Sequence, residues 1–293
     1  MLPLSQSMRS NYANGVEEYY TKHASTTYRN PHYPGIVKTL HAFMDVFASV
    51  MRRQTAQPRE SSGGDSPRRW TILDLAAGSG EVTEAVYTWI QKTNRKREII
   101  QKQQAASSAT VAAPLLPKIS ITATDPYTAP AYLARTGLDC LPLSFADIAQ
   151  GSLPSSPEVY DLVICSFALH LVTDPSQLWS LLNALSSRAR YLVALAPHKK
   201  PNIKEEWGWK RVNPWNGLRD VENDTATDAK DMGGKRGDGY EIYDERVRLR
   251  VWRSTLLSES QEPEGSEAES RLTDATKLEV GVNTEQGAET AGR

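Results

Sequence analysis

The sequence has few of the features that mark several common protein classes. There are only two cysteines among its 293 residues, Cys140 and Cys165, which gives neither a disulfide framework nor a zinc-ligand pattern. The formal net charge of -1 provides no overall attraction to nucleic acid or to an acidic membrane. Residues 1–10 lack the apolar core of a secretory signal, and the longest apolar stretch, at 160–172, is too short to span a bilayer. We therefore expect a reduced, soluble, intracellular protein, cytoplasmic with the nucleus as the alternative compartment.

Strand-like and helix-like segments alternate through the middle of the chain. Apolar runs at 70–77 and 160–166 indicate strands buried on both faces, and helical spacing follows each of them. The Arg and aliphatic alternation of ERVRLRVWRST, at 245–255, predicts a half-buried antiparallel strand at a sheet edge. Its arginines are expected to form a solvated face, with an anion-binding surface as the alternative. This pattern predicts an α/β fold with a doubly wound, mostly parallel sheet.

Low-complexity segments divide this pattern into predicted units. Polar, Gly/Ser/Pro-rich sequence indicates a linker, and Gln/Ala/Ser-rich sequence indicates an inserted loop. The predicted units are an N-terminal helical cap at 1–51, a flexible linker at 52–69, a ligand-binding domain at 70–257 with an inserted loop at 95–118 and a further insert at 200–240, and a disordered tail at 258–293.

The stretch ILDLAAGSGE, at 72–81, carries the main chemical signal. Gly78 and Gly80 let the backbone approach a ligand closely, and the following helix start offers unpaired N–H groups. A dinucleotide site needs a third glycine where Thr83 stands, and a phosphate-binding loop needs a lysine before the helix; both are missing. Glu81, an acid at the helix start, opposes a pyrophosphate. The turn therefore predicts a ligand with less negative charge than a dinucleotide.

ILDLAAGSGEVT resembles the first motif of class I S-adenosylmethionine (SAM)-dependent methyltransferases, in particular the small-molecule type 11/UbiE-like enzymes. The family normally has glycine where Ala76 stands. YDLVICSFALHLV resembles the family's fourth strand and the turn after it, and RVRLRVWRS resembles its closing antiparallel strand. The resemblance covers about residues 70–200. It implies SAM as the cofactor and a Rossmann-like, seven-stranded sheet with an antiparallel edge strand and an N-terminal helical lid.

The resemblance also implies a set of cofactor-binding residues. Asp74 would offset the cofactor's ammonium group, Asp125 would accept hydrogen bonds from the ribose hydroxyls, and Asp147 would lie near the adenine. For each acid the alternative is a cap or turn residue. The full predicted set is Asp74, Ala76, Gly78, Gly80, Asp125, Pro126, Asp147, Ile148, Ser166 and Tyr20.

The N-terminal segment at 14–35 is dense in tyrosine and histidine, and in methyltransferases that resemble this chain such a segment folds over the cofactor. An aromatic face suits a sulfonium cation. The alternative is that these aromatics pack a short helix onto the sheet. The lid candidates are Tyr12, Tyr19, Tyr20, His23 and Tyr28.

His170, just after the predicted fourth strand, is the candidate general base, with a packed histidine as the alternative. His198 is a weaker candidate. CSFALH stands where amino-methylases of nucleic acids carry an Asn/Asp-Pro-Pro-Tyr-like turn, so nucleic acid is disfavoured as the acceptor. We expect a small-molecule acceptor, with a protein as the alternative. The tryptophan-rich segment at 200–240 is expected to lie on the acceptor side, and no metal is expected.

Two other functions stay open from the sequence. One is an NAD(P)-binding oxidoreductase on the same kind of sheet, which the missing third glycine disfavours. The other is a non-catalytic, methyltransferase-like interaction module, because a fold does not by itself imply catalysis. O-, N-, C- and S-methylation are equally compatible with the sequence.

Overall fold

The computed structural model describes residues 30–56, 69–105, 116–198, 200–221 and 240–257. The lid candidates, most of the predicted linker, the second half of the predicted loop at 95–118 and the predicted tail at 258–293 lie outside these ranges. The predictions made for those segments stay predictions.

Five α-helices and nine β-strands make up the described chain. The helices are α1 Tyr33–Ala56, α2 Glu81–Ala105, α3 Ala129–Thr136, α4 Phe145–Ala149 and α5 Pro175–Ser186. The strands are β1 Trp70–Leu75, β2 Ile119–Thr124, β3 Cys140–Leu141, β4 Tyr160–Ser166, β5 Ala189–Ala196, β6 Trp209–Asn213, β7 Arg219–Asp220, β8 Ile242–Asp244 and β9 Val247–Ser254. Single turns of 3-10 helix occupy Leu169–Leu171 and Glu205–Trp207.

The strands form one mixed sheet with the order β3-β2-β1-β4-β5-β9-β6-β7, and β8 pairs with β9. The first five strands in this order are parallel, and β9 runs antiparallel to both β5 and β6. The chain winds outward from β1 in one direction and from β4 in the other, which is the Rossmann-like, doubly wound arrangement. The α/β class and the mostly parallel sheet are confirmed. Within the described ranges the sheet has nine strands rather than seven, because two short strands, β7 and β8, are added.

The antiparallel strand β9 lies inside the sheet and not at its edge, since β6 and β7 continue the sheet beyond it. Val247, Leu249 and Val251 are buried on one face, as the alternation predicts. The opposite face is also covered. Arg250 is only 4% exposed and donates to the carbonyl oxygens of Lys200 and Pro201, at 2.7 and 3.1 Å. The face predicted to be solvated is therefore covered in part, because Arg250 binds a loop that packs over it.

Helices cover both faces of the sheet. On one face, α1 and α2 pack in a single apolar core with β1 and β9, and fully buried Phe43 and Phe47 of α1 belong to it. Trp89 of α2 donates its indole N–H to Asp45 of α1 at 2.8 Å. On the other face, α5 packs against β4 and β5 in a second core. The helix predicted at the end of the N-terminal cap is thus one layer of the domain.

Three predicted segments differ from the structure. Helix α2 continues to Ala105, so the first part of the loop predicted at 95–118 is helical, because its Arg, Lys, Gln and Glu residues are good helix formers. Helix α1 likewise extends to Ala56, into the predicted linker. The insert predicted at 200–240 contributes β6 and β7 to the sheet, and Trp209 and Val212 of β6 are buried.

Candidate functional site

A cavity of about 450 Å³ opens at the carboxyl ends of β1, β2 and β4. Its wall is formed by the turn after β1 at 76–79, the turn after β2 at 125–128, the start of α4 at 143–146 and the segments after β4 at 166–168 and 171–173. The strand order reverses between β1 and β4, and ligands of doubly wound sheets bind at such a point. The volume falls within the range of small-molecule sites.

The turn after β1 has an unusual backbone. Ala76, Gly78 and Gly80 all have positive φ, of 54°, 56° and 92°. Ala76 thus occupies a conformation that favours glycine. Gly78 lines the cavity, and a Cβ added there meets only Glu81 Oε2, at 3.5 Å. A Cβ on Gly80 would lie 2.5 Å from a methyl carbon of Thr136, so this glycine permits close packing of α3 and does not line the cavity.

Asp125 joins the turns after β1 and β2. Its Oδ2 accepts the backbone N–H of Gly78 at 3.1 Å, and its Oδ1 accepts those of Tyr127 and Thr128 at 2.9 and 3.0 Å. The Thr128 hydroxyl in turn donates to the carbonyl oxygen of Gly78 at 2.6 Å. Asp125 and Pro126 both line the cavity. Because a carboxylate offers about four acceptor positions, Asp125 retains capacity for a ligand hydroxyl.

Asp74 lies beneath the turn and is not part of the cavity wall; it is 1% exposed. Its Oδ2 accepts the hydroxyl of Thr83 at 2.7 Å, and that hydroxyl is 2.8 Å from the Tyr132 hydroxyl. Burial raises the pKa of Asp74 to about 7. The structure therefore gives this acid partners that stabilise the start of α2, and its proposed contact with a ligand stays a prediction.

Glu81, the first residue of α2, lines the cavity although the predicted cofactor-binding set did not include it. It is 7% exposed. Its Oε1 accepts the backbone N–H of Asn30 at 3.1 Å and the hydroxyl of Ser79 at 2.9 Å, and lies 3.1 Å from an Arg135 nitrogen. In the sequence, the signal that could have placed Glu81 in the site is its position directly after the glycine turn.

Asp147 caps α4. Its Oδ2 accepts the backbone N–H and the hydroxyl of Ser144 at 2.8 and 2.6 Å, and the Ser144 hydroxyl accepts the Asp147 N–H. These hydrogen bonds hold the pKa of Asp147 below its ordinary value. Ile148 is part of the core. Neither residue lines the cavity, whereas Ser144 and Phe145 do. The adenine contact predicted for Asp147 is untested.

The segment after β4 brings aromatic rings to the cavity. Ser166 and Phe167 line it, and Phe167 has a positive φ of 57°. The Ser166 hydroxyl oxygen is buried and has no hydrogen-bond partner within the described part of the chain. His170 lies behind Phe167, with ring centroids 6.3 Å apart, and is not part of the wall. Its role as a base stays a prediction, as does that of Tyr20, which lies outside the described residues.

The charge of the wall has one sign. Glu81 and Asp125 are acids, and no Lys, Arg or His is found among the described residues that line the cavity. The other lining side chains are apolar or neutral. The cavity therefore favours a ligand that carries positive charge next to polar groups, and it disfavours a polyanion.

An uncharacterized protein of Schizosaccharomyces pombe, C17A5.05c, is 43% identical over 219 residues, which are 72% of this chain and 81% of the yeast protein. The chain belongs to the same family as this yeast protein. No family model matches the chain.

Two solved methyltransferase structures resemble this chain at low sequence identity. The magnesium protoporphyrin IX methyltransferase from Synechocystis PCC 6803 with bound SAM is 11% identical with a TM-score of 0.39, covering 86% of this chain and 100% of that one. The Mitomycin 7-O-methyltransferase MmcR is 15% identical with a TM-score of 0.35, covering 75% and 54%. At these values the two likenesses establish no activity for this chain.

Two further properties concern the described ranges only. Their His, Cys, Asp and Glu side chains form no group of three or more that could hold a metal ion. No helix in these ranges has the length and apolar character needed to cross a membrane.

Proposed function

We propose that the chain is a SAM-dependent methyltransferase that acts on a small-molecule acceptor. The observation that carries this proposal is the acidic cavity at the point where the strand order reverses, walled by the glycine turn of β1 and by Asp125 after β2. A ligand for this cavity needs hydroxyl groups for Asp125 and positive charge for the acidic wall. SAM has both, with a ribose diol, a sulfonium and an ammonium group.

The same wall argues against a dinucleotide. A pyrophosphate at the start of α2 would meet the carboxylates of Glu81 and Asp125. The position of the third glycine is occupied by Thr83, which is fully buried and hydrogen-bonded to Asp74. The oxidoreductase alternative therefore lacks both the third glycine of its motif and a wall whose charge suits its cofactor.

In this proposal, bound SAM supplies an activated methyl group and a neutral leaving group. The protein contributes position and orientation, which can account for most of the acceleration of such a transfer. Gly78 allows the turn to approach the ligand, Asp125 accepts hydrogen bonds from its hydroxyls, and Ser166 contributes to the wall. A base is needed only for an acceptor that must lose a proton, and His170 is the candidate for it.

Calorimetric titration tests the proposal directly. We expect saturable binding of SAM to the folded wild-type protein, loss of binding in Asp125→Ala, and unchanged binding in the control Asp139→Ala, which removes an exposed acid outside the cavity wall. NAD⁺ and NADP⁺ should not bind. Binding of either dinucleotide in place of SAM would favour the oxidoreductase, and absence of SAM binding would overturn the proposal.

Transfer of a labelled methyl group identifies the acceptor class. The wild-type protein is incubated with methyl-labelled SAM and a host extract, which is then separated into small molecules, protein and nucleic acid. We expect label in the small-molecule fraction, and none with Asp125→Ala. Label in protein would correct the acceptor class. SAM binding without transfer to any fraction would favour a non-catalytic module.

A further inference from the structure

The carboxylate of Glu81 has one oxygen engaged by the protein and one directed at the glycine turn. Within the described ranges, its hydrogen bonds and its nearest ion-pair contact all involve Oε1. The other oxygen, Oε2, faces the Cα of Gly78, since a Cβ built on Gly78 would lie 3.5 Å from it. Gly78 and Glu81 both line the cavity. One oxygen thus fixes the side chain, while the other lies beside Gly78 in the cavity wall.

The charge of Glu81 is not cancelled by its arginine neighbour. Arg135 lies between two acids, 3.1 Å from Glu81 and 3.4 Å from Glu84. Its Nη1 also donates to the Ser79 hydroxyl at 2.7 Å. The three charged side chains carry a net charge of one negative unit, and of the three only Glu81 reaches the cavity wall. Negative charge therefore remains available at the turn.

We infer that Glu81, through Oε2, binds the ammonium group of the amino-acid portion of SAM directly. Asp74 is buried and not part of the cavity wall; its Oδ2 accepts the Thr83 hydroxyl, and its Oδ1 has no hydrogen-bond partner within the described ranges. Glu81, in contrast, lines the wall beside Gly78. The inference rests on the proposed function and adds a residue that determines which ligands bind: a cationic amino acid is favoured, and an anionic group at the same place is repelled.

The same carboxylate connects the ligand to the segment at 30–32. Oε1 of Glu81 holds the backbone of Asn30, which also lines the cavity. An ammonium group on Oε2 orients the carboxylate and so favours the position in which Oε1 accepts from Asn30. Ligand binding and docking of this segment are therefore expected to support each other.

Binding of S-adenosylhomocysteine (SAH), the demethylated product of SAM, tests the inference. The variant Glu81→Gln removes the charge but keeps an amide oxygen for Asn30 and Ser79. Its matched control is Glu84→Gln, which removes the other acid paired with Arg135 and does not touch the cavity. Each protein is titrated with SAH, with a deaminated analogue of SAH that keeps the carboxylate, and with methylthioadenosine, which lacks the amino-acid portion.

We expect Glu81→Gln to weaken SAH binding by about tenfold to a hundredfold, the range for loss of a charged hydrogen bond. Binding of the deaminated analogue and of methylthioadenosine should change by less than about twofold, as should every affinity of Glu84→Gln.

Equal losses for SAH and methylthioadenosine in Glu81→Gln, or no loss for either, would overturn the inference while leaving the proposed function intact. Failure of the folded wild-type protein to bind SAH would overturn both. Methylthioadenosine binding also serves as a check that the variant cavity is intact.

Discussion

The imidazole of His32 stacks on the ring of Phe167, with ring centroids 5.1 Å apart and planes inclined by 13°. Phe167 lines the cavity, so the contact ties the segment before α1 to the turn after β4. Burial, with a smaller contribution from nearby Arg246, lowers the pKa of His32, while Glu245 acts in the opposite direction. The stacked form of His32 is thus the neutral one.

Acid should weaken the folded state through His32. Because the folded-state pKa lies below the ordinary value of about 6.5, the unfolded chain takes up the proton first as the pH falls. This contribution to stability is complete above about pH 6.5 and is lost as the pH falls through the folded-state pKa. Urea unfolding near neutral and at mildly acidic pH should show a smaller acid loss in His32→Phe, which keeps the stacking, than in the wild type. An identical loss in both proteins would contradict this assignment.

Asp74 should have the opposite effect on the dependence of stability on pH. Burial raises its pKa to about 7, well above the unfolded value, so the folded state binds the proton more tightly and Asp74 costs stability as the pH rises. Asp74→Asn cannot ionise and keeps an oxygen for the Thr83 hydroxyl. Between about pH 5.5 and about pH 8 the variant should gain on the order of 2 kcal/mol relative to the wild type. A difference in the free energy of unfolding that is constant over this range would refute the prediction.

Ala76→Gly should stabilise the protein. Ala76 has a φ of 54°, where a side chain costs roughly 1–2 kcal/mol, and this cost exceeds the extra backbone entropy that glycine loses on folding. We expect the free energy of unfolding to rise by about 0.5–1 kcal/mol in urea denaturation. Ala77→Gly is the matched control, because Ala77 is buried and has no positive φ, and it should be destabilising. A loss of stability in both variants would be the contrary outcome.

Replacement by alanine should affect stability differently at Gly78 and at Gly80. A Cβ on Gly80 would lie 2.5 Å from Thr136 and 3.2 Å from buried Tyr132, so Gly80→Ala should lose about 2–4 kcal/mol of stability. A Cβ on Gly78 meets only Glu81 Oε2, so Gly78→Ala should lose about 1 kcal/mol and should mainly weaken SAM binding. Thermal unfolding and SAM titration of both variants separate the effects. Equal destabilisation by the two substitutions would show that the turn is equally tight at both positions.

Local sequence signals predicted much of the fold. Helix α3 is followed by Gly137 in a left-handed conformation, and α5 starts at Pro175; a glycine after a helix and a proline at its first position are local sequence signals of these ends. The edge position of β9 was wrong because alternation shows which face of a strand is apolar and not what covers the other face. Arg250 binds a loop that follows β5 and is about fifty residues earlier in the chain, a contact that no local pattern contains.

The site was predicted in part. The turn came from a motif that encodes backbone geometry, and Asp125 came from its place at the end of the predicted second strand. The structure brings Ala76, Gly78, Asp125, Pro126 and Ser166 to one cavity. The capping of α4 by Ser144 and Asp147 was readable locally as a capping box. The place of Glu81 directly after the turn was readable from the sequence, but its contact with the backbone of Asn30, 51 residues earlier in the chain, was not.

The place of β9 in the sheet has a consequence for biosynthesis. Strands β6 and β7 leave the ribosome before β9, yet β6 pairs only with β7 and β9 among the described strands, so it has no attachment to the rest of the sheet until residues 247–254 have been synthesised. Until then the edge of β5 is open, and open edges are templates for aggregation. Insertion of β9 covers the edge of β5 and attaches β6, so a nascent chain stopped just before Val247 retains the glycine turn but not a continuous sheet.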